Sequence, residues 1–155
     1  MSSVLITGAS KGIGRAIAIE LAGRGHRVVA TARRPETLAD LPVDQRLQLD
    51  VTDQDSVDRA IKEAGEIDVL VSNAGATVRA PLETVPLTEV EKLFQLNTFG
   101  ALRVVQGVLP AMRERGSGRL VFVSPFRNVE YWSRAEGSDL FDFELRPALR
   151  PPDRG

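Results

Sequence analysis

The chain has 155 residues, a length typical of one domain with a short additional segment. Apolar residues make up 43% of it and charged residues 26%, which argues against wholesale disorder, and the net charge of -1 gives no general attraction to nucleic acid or anionic membranes. There is no cysteine and a single histidine, His26, so disulfides, thiolate catalysis and Cys- or His-cluster metal sites are excluded, and we predict no metal site. No apolar run reaches the ~20 residues of a membrane span. We therefore expect neither a membrane span nor a signal peptide, and the cytoplasm is the expected compartment.

Up to Ser124, short β-branched apolar runs alternate with amphipathic stretches. Strands that alternate with helices are typical of βαβ units and a parallel sheet, so we predict an α/β fold. After Ser124 the pattern fails, and the alternation of Phe141 and Phe143 with acidic residues is compatible with a short strand or with no ordered structure. The predicted strands cover residues 4–6, 27–31, 47–49, 67–71 and 120–123.

The helices are predicted from apolar residues at helical spacing. The first starts at Gly12 and is ended by Gly23 and Gly25, and the second follows capping residues within 52–55. A capping box at 88–91, a Thr followed three residues later by Glu, opens a long helix over 88–114. The apolar positions that support these helices are Ile13, Ile17 and Leu21; Val57, Ile61 and Ala64; and Leu93, Phe94, Leu102, Val105 and Leu109.

A glycine-rich loop connects the first predicted strand to the first predicted helix. Glycines let the backbone turn tightly and approach a pyrophosphate, and a helix N-terminus offers unpaired N–H groups to its charge. The loop therefore predicts a dinucleotide site, and the alternative is a glycine-rich turn that binds no ligand. The residues that we expect to contact the cofactor here are Thr7, Gly8, Ser10, Lys11, Gly12, Ile13 and Gly14.

The loop pattern Thr-Gly-x-x-x-Gly-Ile-Gly resembles the cofactor fingerprint of the short-chain dehydrogenase/reductase family, and three further motifs agree with it in order. The segment with Asp50 and Val51 resembles the one that receives the adenine ring in that family. The run Asn73-Ala74-Gly75 resembles the motif that steadies the sheet beside the cofactor. Asn97 matches the asparagine of the active-site helix, and its alternative interpretation is a polar residue that bonds backbone at a helix distortion.

The resemblance covers residues 3 to about 124. It implies a Rossmann-like doubly wound parallel sheet of about five strands in the order 3-2-1-4-5, incomplete at its C-terminal side because the family's later strands have no counterpart. We therefore expect an NAD(P)-binding domain over 1–124 and a divergent, partly disordered tail over 125–155. By resemblance the helix over 88–114 is a candidate surface for a homo-oligomer, although its apolar stripe is equally explained by packing on the sheet.

The second predicted strand bears on the choice of cofactor. It ends in Thr31-Ala32-Arg33-Arg34, without the carboxylate that would bind the ribose hydroxyl of NAD(H). Arg33, with Lys11 in the loop, can pair with a 2′-phosphate, so the resemblance implies NADP(H) in preference to NAD(H). The alternative is that Arg33 and Arg34 are solvated surface charges.

The catalytic end departs from the family pattern. The family uses a Tyr-x-x-x-Lys pair for proton transfer and a serine after the fifth strand, whereas here the only lysines are Lys11, Lys62 and Lys92. Tyr131 has alanine at the lysine position, and Ser124 is followed by proline where the family's second, catalytic serine stands. Ser124 and Tyr131 are therefore the weakest of the candidate catalytic residues, beside Asn97.

Two functions are consistent with these residues. One is an oxidoreductase that binds NADP(H) and exchanges hydride with a small alcohol or carbonyl substrate, with catalysis impaired. The other is a non-catalytic NADP(H)-binding half-domain, or the remnant of a reductase gene after a shifted reading frame, that acts, if at all, through a partner. The change of composition after Ser124 motivates the frameshift hypothesis.

Overall fold

The computed structural model describes residues 1–78, 80–81 and 83–123, together with the backbone of 140–144. Its centre is one sheet with strand order β3-β2-β1-β4-β5-β6. The strands are β1 Ser3–Ile6, β2 Arg27–Ala32, β3 Gln45–Gln48, β4 Val69–Ser72, β5 Arg119–Val123 and β6 Leu140–Glu144.

The first five strands are parallel and confirm the predicted order 3-2-1-4-5. The chain moves outward from β1 to β2 and β3, and then returns to the other side of β1 with β4. In such a sheet the reversal point opens a crevice at the carboxyl ends of the strands, here those of β1 and β4. The sixth strand pairs antiparallel with β5, with Leu120 opposite Phe143 and Phe122 opposite Phe141, so the alternation in this segment does correspond to a strand.

Helices cover both faces of the sheet. On one face, buried side chains of α2 and α4 pack with Leu5, Leu70 and Leu120. On the other face α1 and a 3-10 turn at Pro35–Leu38 cover a second cluster of buried aliphatic residues. Burying each such side chain stabilises the fold by about 1.5–3 kcal/mol, less the entropy of ordering it. The helices are α1 Gly12–Gly23, α2 Gln54–Ala64, α3 Leu87–Phe94 and α4 Gly100–Arg115, with a π-helical turn at Gln95–Phe99 between the last two.

Local capping is confirmed for α2 and wrong for α3. The Asp53 carboxylate caps α2 by accepting from the Asp55 N–H. The helix predicted over 88–114 begins instead at Leu87, with Pro86 at the N-cap position, so Thr88 lies inside the first turn and forms no capping box. Backbone N–H groups at the start of a helix have no partner within the helix, so the lack of an N–H in proline costs nothing there.

The predicted long helix is present over 87–115, but a π-helical turn at Gln95–Phe99 interrupts its regular α-helical geometry. Val105 and Leu109 pack on the sheet as predicted, whereas Phe94 is 56% exposed and Leu102 is 49% exposed. A π-helical turn holds more residues than an α-turn, so it rotates the buried face between α3 and α4. The prediction that Phe94 and Leu102 belong to one buried apolar stripe is therefore wrong, because it treated the helix as regular throughout.

Candidate functional site

The loop from Thr7 to Gly14 lies at the carboxyl end of β1, where the crevice opens. Its backbone is fixed to the neighbouring strand by the Ala9 N–H, which donates to the Thr31 carbonyl at 2.9 Å. Gly8 and Gly12 have positive φ of 68° and 59°, a region that side chains with a Cβ rarely adopt. The first turn of α1 follows directly, and Lys11 at its N-cap makes no side-chain hydrogen bond to the described residues.

The glycines of this loop have different surroundings. A Cβ on Gly8 would lie 2.9 Å from Ala74 Cα, and one on Gly14 would lie 2.3 Å from Asn73 Nδ2. A Cβ on Gly12, by contrast, would meet no described atom within 4 Å. Two glycines therefore allow the loop to pack against the 73–74 segment, and the third leaves open space beside the backbone.

Hydrogen bonds join the same two segments. The buried Thr7 Oγ1 accepts from the N–H groups of Asn73 and Ala74, both at 2.9 Å. In return, Asn73 Nδ2 donates to the carbonyls of Thr7 and Gly8, both at 3.0 Å. These four bonds fasten the end of β1 to the end of β4. The sequence indicated the participants, but the acceptor role of the Thr7 hydroxyl follows only from the parallel pairing of β1 with β4.

Asn97 lies in the π-helical turn and bonds the loop after β4. Its Oδ1 accepts from the Ala76 N–H at 2.9 Å and its Nδ2 donates to the Ala76 carbonyl at 2.8 Å. Gly75 lies close to this pair of hydrogen bonds, since a Cβ there would lie 3.1 Å from Asn97 Oδ1. This is the geometry of a polar side chain that bonds backbone at a helix distortion, and a catalytic role of Asn97 stays a prediction.

These segments surround an open cavity of about 710 Å³. This volume is within the usual range for small-molecule sites. Ile13 lines the cavity with 59% of its surface exposed. The prediction that it packs in one buried stripe with Ile17 and Leu21 is therefore wrong. Part of the lining was not predicted from the sequence. For Phe122 and Val123 the only sequence signal was their place in the apolar run of β5. The lining residues that were not predicted are Ser72, Ala76, Thr77, Thr98, Ala101, Phe122 and Val123.

The segment predicted to receive the adenine ring, called the adenine-side segment, follows β3. Asp50 Oδ1 accepts from the Thr52 N–H at 2.9 Å and from the Thr52 hydroxyl at 2.7 Å. Burial alone would raise the pKa of Asp50, but the Thr52 hydrogen bonds and the charge of Arg33 hold the pKa of that carboxyl below its usual value. The side chains of Arg33 and Lys11 are exposed. Val51 is buried.

The other predicted site residues are placed as follows. Ser10 is half-buried within the glycine loop. Ser124 and Tyr131 lie outside the described residues. Within the part of the chain that the structure describes, no three His, Asp or Glu side chains are grouped so as to hold a metal ion, and no helix is long and apolar enough to cross a bilayer.

Comparison with known families agrees with this geometry. The family model described as short chain dehydrogenase matches residues 2–133. The chain belongs to the short-chain dehydrogenase family. The recognition made from the four motifs is thereby confirmed.

The relatives of this chain are longer than the chain itself. Retinol dehydrogenase 8 of Bos taurus is 41% identical over 142 residues, which are 83% of this chain and 46% of the relative. The 3-oxoacyl-[acyl-carrier-protein] reductase MabA of Mycobacterium tuberculosis is 40% identical over 128 residues, covering 78% of this chain and 49% of the relative. The chain thus spans about half the length of these curated relatives.

Solved structures show the same fold. A short-chain dehydrogenase from Streptomyces avermitilis is 42% identical with a TM-score of 0.76, covering 79% of this chain and 49% of that one. Serine dehydrogenase from Escherichia coli is 33% identical with a TM-score of 0.70, covering 75% of this chain and 58% of that one. The oxidoreductase family and the Rossmann-like sheet are therefore shared with these proteins.

Proposed function

We propose that residues 1–124 form a domain that binds NADP(H) in the crevice at the carboxyl ends of β1 and β4. The observation that carries this proposal is the open space at Gly12, where a Cβ would meet no described atom within 4 Å. It lies at the N-terminus of α1, where the first-turn N–H groups of a helix and the positive end of its dipole favour an anion. The tightly packed neighbours Gly8 and Gly14 keep this cradle in place.

The surrounding side chains fit the remainder of a dinucleotide. Lys11 and Arg33, both exposed, would bind the 2′-phosphate, while Asp50 and Val51 would receive the adenine ring. The run Asn73-Ala74-Gly75 after β4 would lie beside the nicotinamide, on the side lined by Ile13. When bound, the nicotinamide supplies hydride exchange with the carbon of an alcohol or carbonyl substrate.

Cofactor titration tests the proposal, and Arg33 provides its sharpest variant. We expect Arg33→Ala to weaken NADPH binding by about 10- to 100-fold, the equivalent of a charged hydrogen-bonded contact, with little effect on NADH. Arg34→Ala is the matched control because it removes the same charge from the next exposed residue. Fluorescence titration of the 155-residue wild type and of both variants with NADPH and with NADH measures all six affinities.

Three results would contradict this proposal. No binding of either cofactor would remove the dinucleotide function. Equal losses in the Arg33 and Arg34 variants would reduce both residues to surface charges. Tighter binding of NADH than of NADPH would overturn the cofactor preference alone.

We further propose that catalysis by this chain is impaired. It has no lysine after Lys92, so the tyrosine–lysine pair of the family is missing. A placed proton donor contributes about 10²–10⁴-fold to the rate, and turnover should fall at least that far. NADPH oxidation with a broad set of ketones and aldehydes should therefore match a blank without substrate. Turnover above that blank that disappears in Tyr131→Phe would show an active enzyme, whereas binding without turnover supports a non-catalytic NADP(H)-binding domain.

An exposed apolar surface supports a proposal of self-association. Leu87 is 77% exposed, and Phe94, Phe99 and Leu102 follow on the same helical stretch with about half of their surfaces in solvent. Side chains of this size favour burial when they are clustered on a surface. Sedimentation of the wild-type chain and of Phe94→Ser should show a dimer only for the former. A monomer in both would exclude self-association, and a dimer in both would exclude Phe94 from the interface.

A further inference from the structure

Arg103 lies on α4 and bonds two segments that are distant in sequence. Its Nη2 donates to Gln95 Oε1 at 3.1 Å, at the start of the π-helical turn. Its Nη1 donates to the Val51 carbonyl at 3.4 Å, on the adenine-side segment. The side chain is half-buried, so its guanidinium is only partly solvated at this position. One side chain thus connects the π-helical turn to the segment after β3.

A second contact joins the same two segments by packing. Gly100 begins α4 directly after the π-helical turn and is buried against Val51. A Cβ at Gly100 would lie 2.6 Å from Val51 Cγ2 and 3.2 Å from the Gln95 carbonyl oxygen. The first residue of α4 therefore approaches Val51 more closely than a residue with a Cβ could. Val51 is 4% exposed, so it has little space in which to move away.

The π-helical turn is also bonded to the loop after β4. Asn97, two residues after Gln95, bonds both backbone groups of Ala76 at 2.8 and 2.9 Å. The described contacts form one continuous path from Val51 through Arg103 and the turn to Ala76. A contiguous path of packed and hydrogen-bonded groups is a physical route by which two sites can affect one another.

We propose that Arg103 is a positioning residue that couples the adenine-side segment at Val51 to the π-helical turn that carries Asn97. Ligand binding at the adenine end then stabilises the turn at the nicotinamide end, because Arg103 is bonded to both. The residue acts through the Val51 carbonyl and Gln95 and needs no contact with the ligand itself. This inference rests on the proposed function for its ligand, but the link between the two segments exists in the chain without cofactor.

Amide hydrogen exchange of the full chain tests the link directly. Without ligand, Arg103→Met should speed exchange at residues 50–52 and 95–99 together. Arg113→Met, which removes the same charge from an exposed position on the same helix, should leave both segments unchanged. When 2′,5′-ADP is added, exchange in the wild-type chain should slow in both segments. In Arg103→Met it should slow at 50–52 only, an uncoupling that a general loss of stability does not produce.

Affinity gives a second measurement. We expect Arg103→Met to weaken 2′,5′-ADP by about 3- to 10-fold in calorimetric titration, the equivalent of one hydrogen bond, and Arg113→Met to change it by less than about 2-fold. Gln95→Met should weaken it similarly, and the double variant should be no worse than either single one. Identical exchange in the Arg103 and Arg113 variants overturns the inference. Failure of the wild-type chain to bind NADPH and 2′,5′-ADP overturns the proposed function instead, and the ligand-free exchange then decides the role of Arg103.

Discussion

Gly14→Ala should destabilise the chain even though alanine is the better helix former. The new Cβ would lie 2.3 Å from Asn73 Nδ2 and 2.6 Å from the Gly8 carbonyl oxygen, both inside contact distance. The Asn73 amide must then move and lose its two bonds to the carbonyls of Thr7 and Gly8.

The magnitude follows from three contributions. Two lost hydrogen bonds cost about 1 kcal/mol each, overpacking adds about 1–2 kcal/mol, and the helix propensity of alanine returns about 1 kcal/mol. The net loss in the free energy of unfolding is therefore about 2–3 kcal/mol. For a chain of this length that lowers the Tm by about 5–10 °C.

Gly23→Ala is the matched control, since it makes the same substitution on the same helix where a Cβ would meet no described atom within 4 Å. Urea unfolding followed by far-UV circular dichroism should show this variant as stable as the wild type or slightly more so. In the Asn73→Ala background, Gly14→Ala should cost at least about 1 kcal/mol less, because the atom that it displaces is gone. If Gly14→Ala matches Gly23→Ala in stability, the close approach of the loop to Asn73 is refuted.

Three other perturbations have defined outcomes. Asn97→Ala removes both bonds to Ala76 and should speed amide exchange at Ala76, with a loss of about 1–2 kcal/mol in unfolding free energy; unchanged exchange would rule out this pair of hydrogen bonds. Asp53→Ala removes the N-cap of α2 and should cost about 1 kcal/mol in urea unfolding, whereas Asp53→Asn should retain most of the stability. Asp50 has a lowered pKa in the fold, so its contribution is present above its unfolded pKa of about 3.9 and is lost as the pH falls through the folded value. Thr52→Val should therefore reduce stability at pH 7 and make less difference below about pH 4, and a pH-independent difference would contradict the Thr52–Asp50 bond.

Much of the sheet could be predicted because local pattern and topology agree. The alternation of β-branched runs with helical stretches leaves few parallel arrangements, and the glycine loop marks the point where the strand order reverses. The loop residues Thr7 to Gly14 and the run Asn73-Ala74-Gly75 do meet in the structure. Their proximity follows from the pairing of β1 with β4.

The errors have physical causes that act beyond local propensity. Thr88 to Glu91 has the spacing of a capping box, but the chain is already helical at Leu87 because Pro86 occupies the N-cap. Ile13 has the periodicity of a buried residue, but its place at the open end of α1 leaves it facing the cavity. Arg103 belongs to no motif, and its hydrogen bonds to the Val51 carbonyl and to Gln95 become visible only when α4 is packed beside the segment after β3.

The π-helical turn makes this part of the chain sensitive to length and not only to residue type. A π-helical turn contains about one residue more than a turn of α-helix, and one residue corresponds to a rotation of about 100° around the helix axis. A single deletion within Gln95–Phe99 would let α3 and α4 join as a regular helix, so secondary structure would survive. The helix would nevertheless turn Asn97 and the residues before it relative to Val104, Val108 and Met112, which are buried on the sheet. Related chains should therefore tolerate insertions and deletions in the loop before Leu87 more readily than within these five residues.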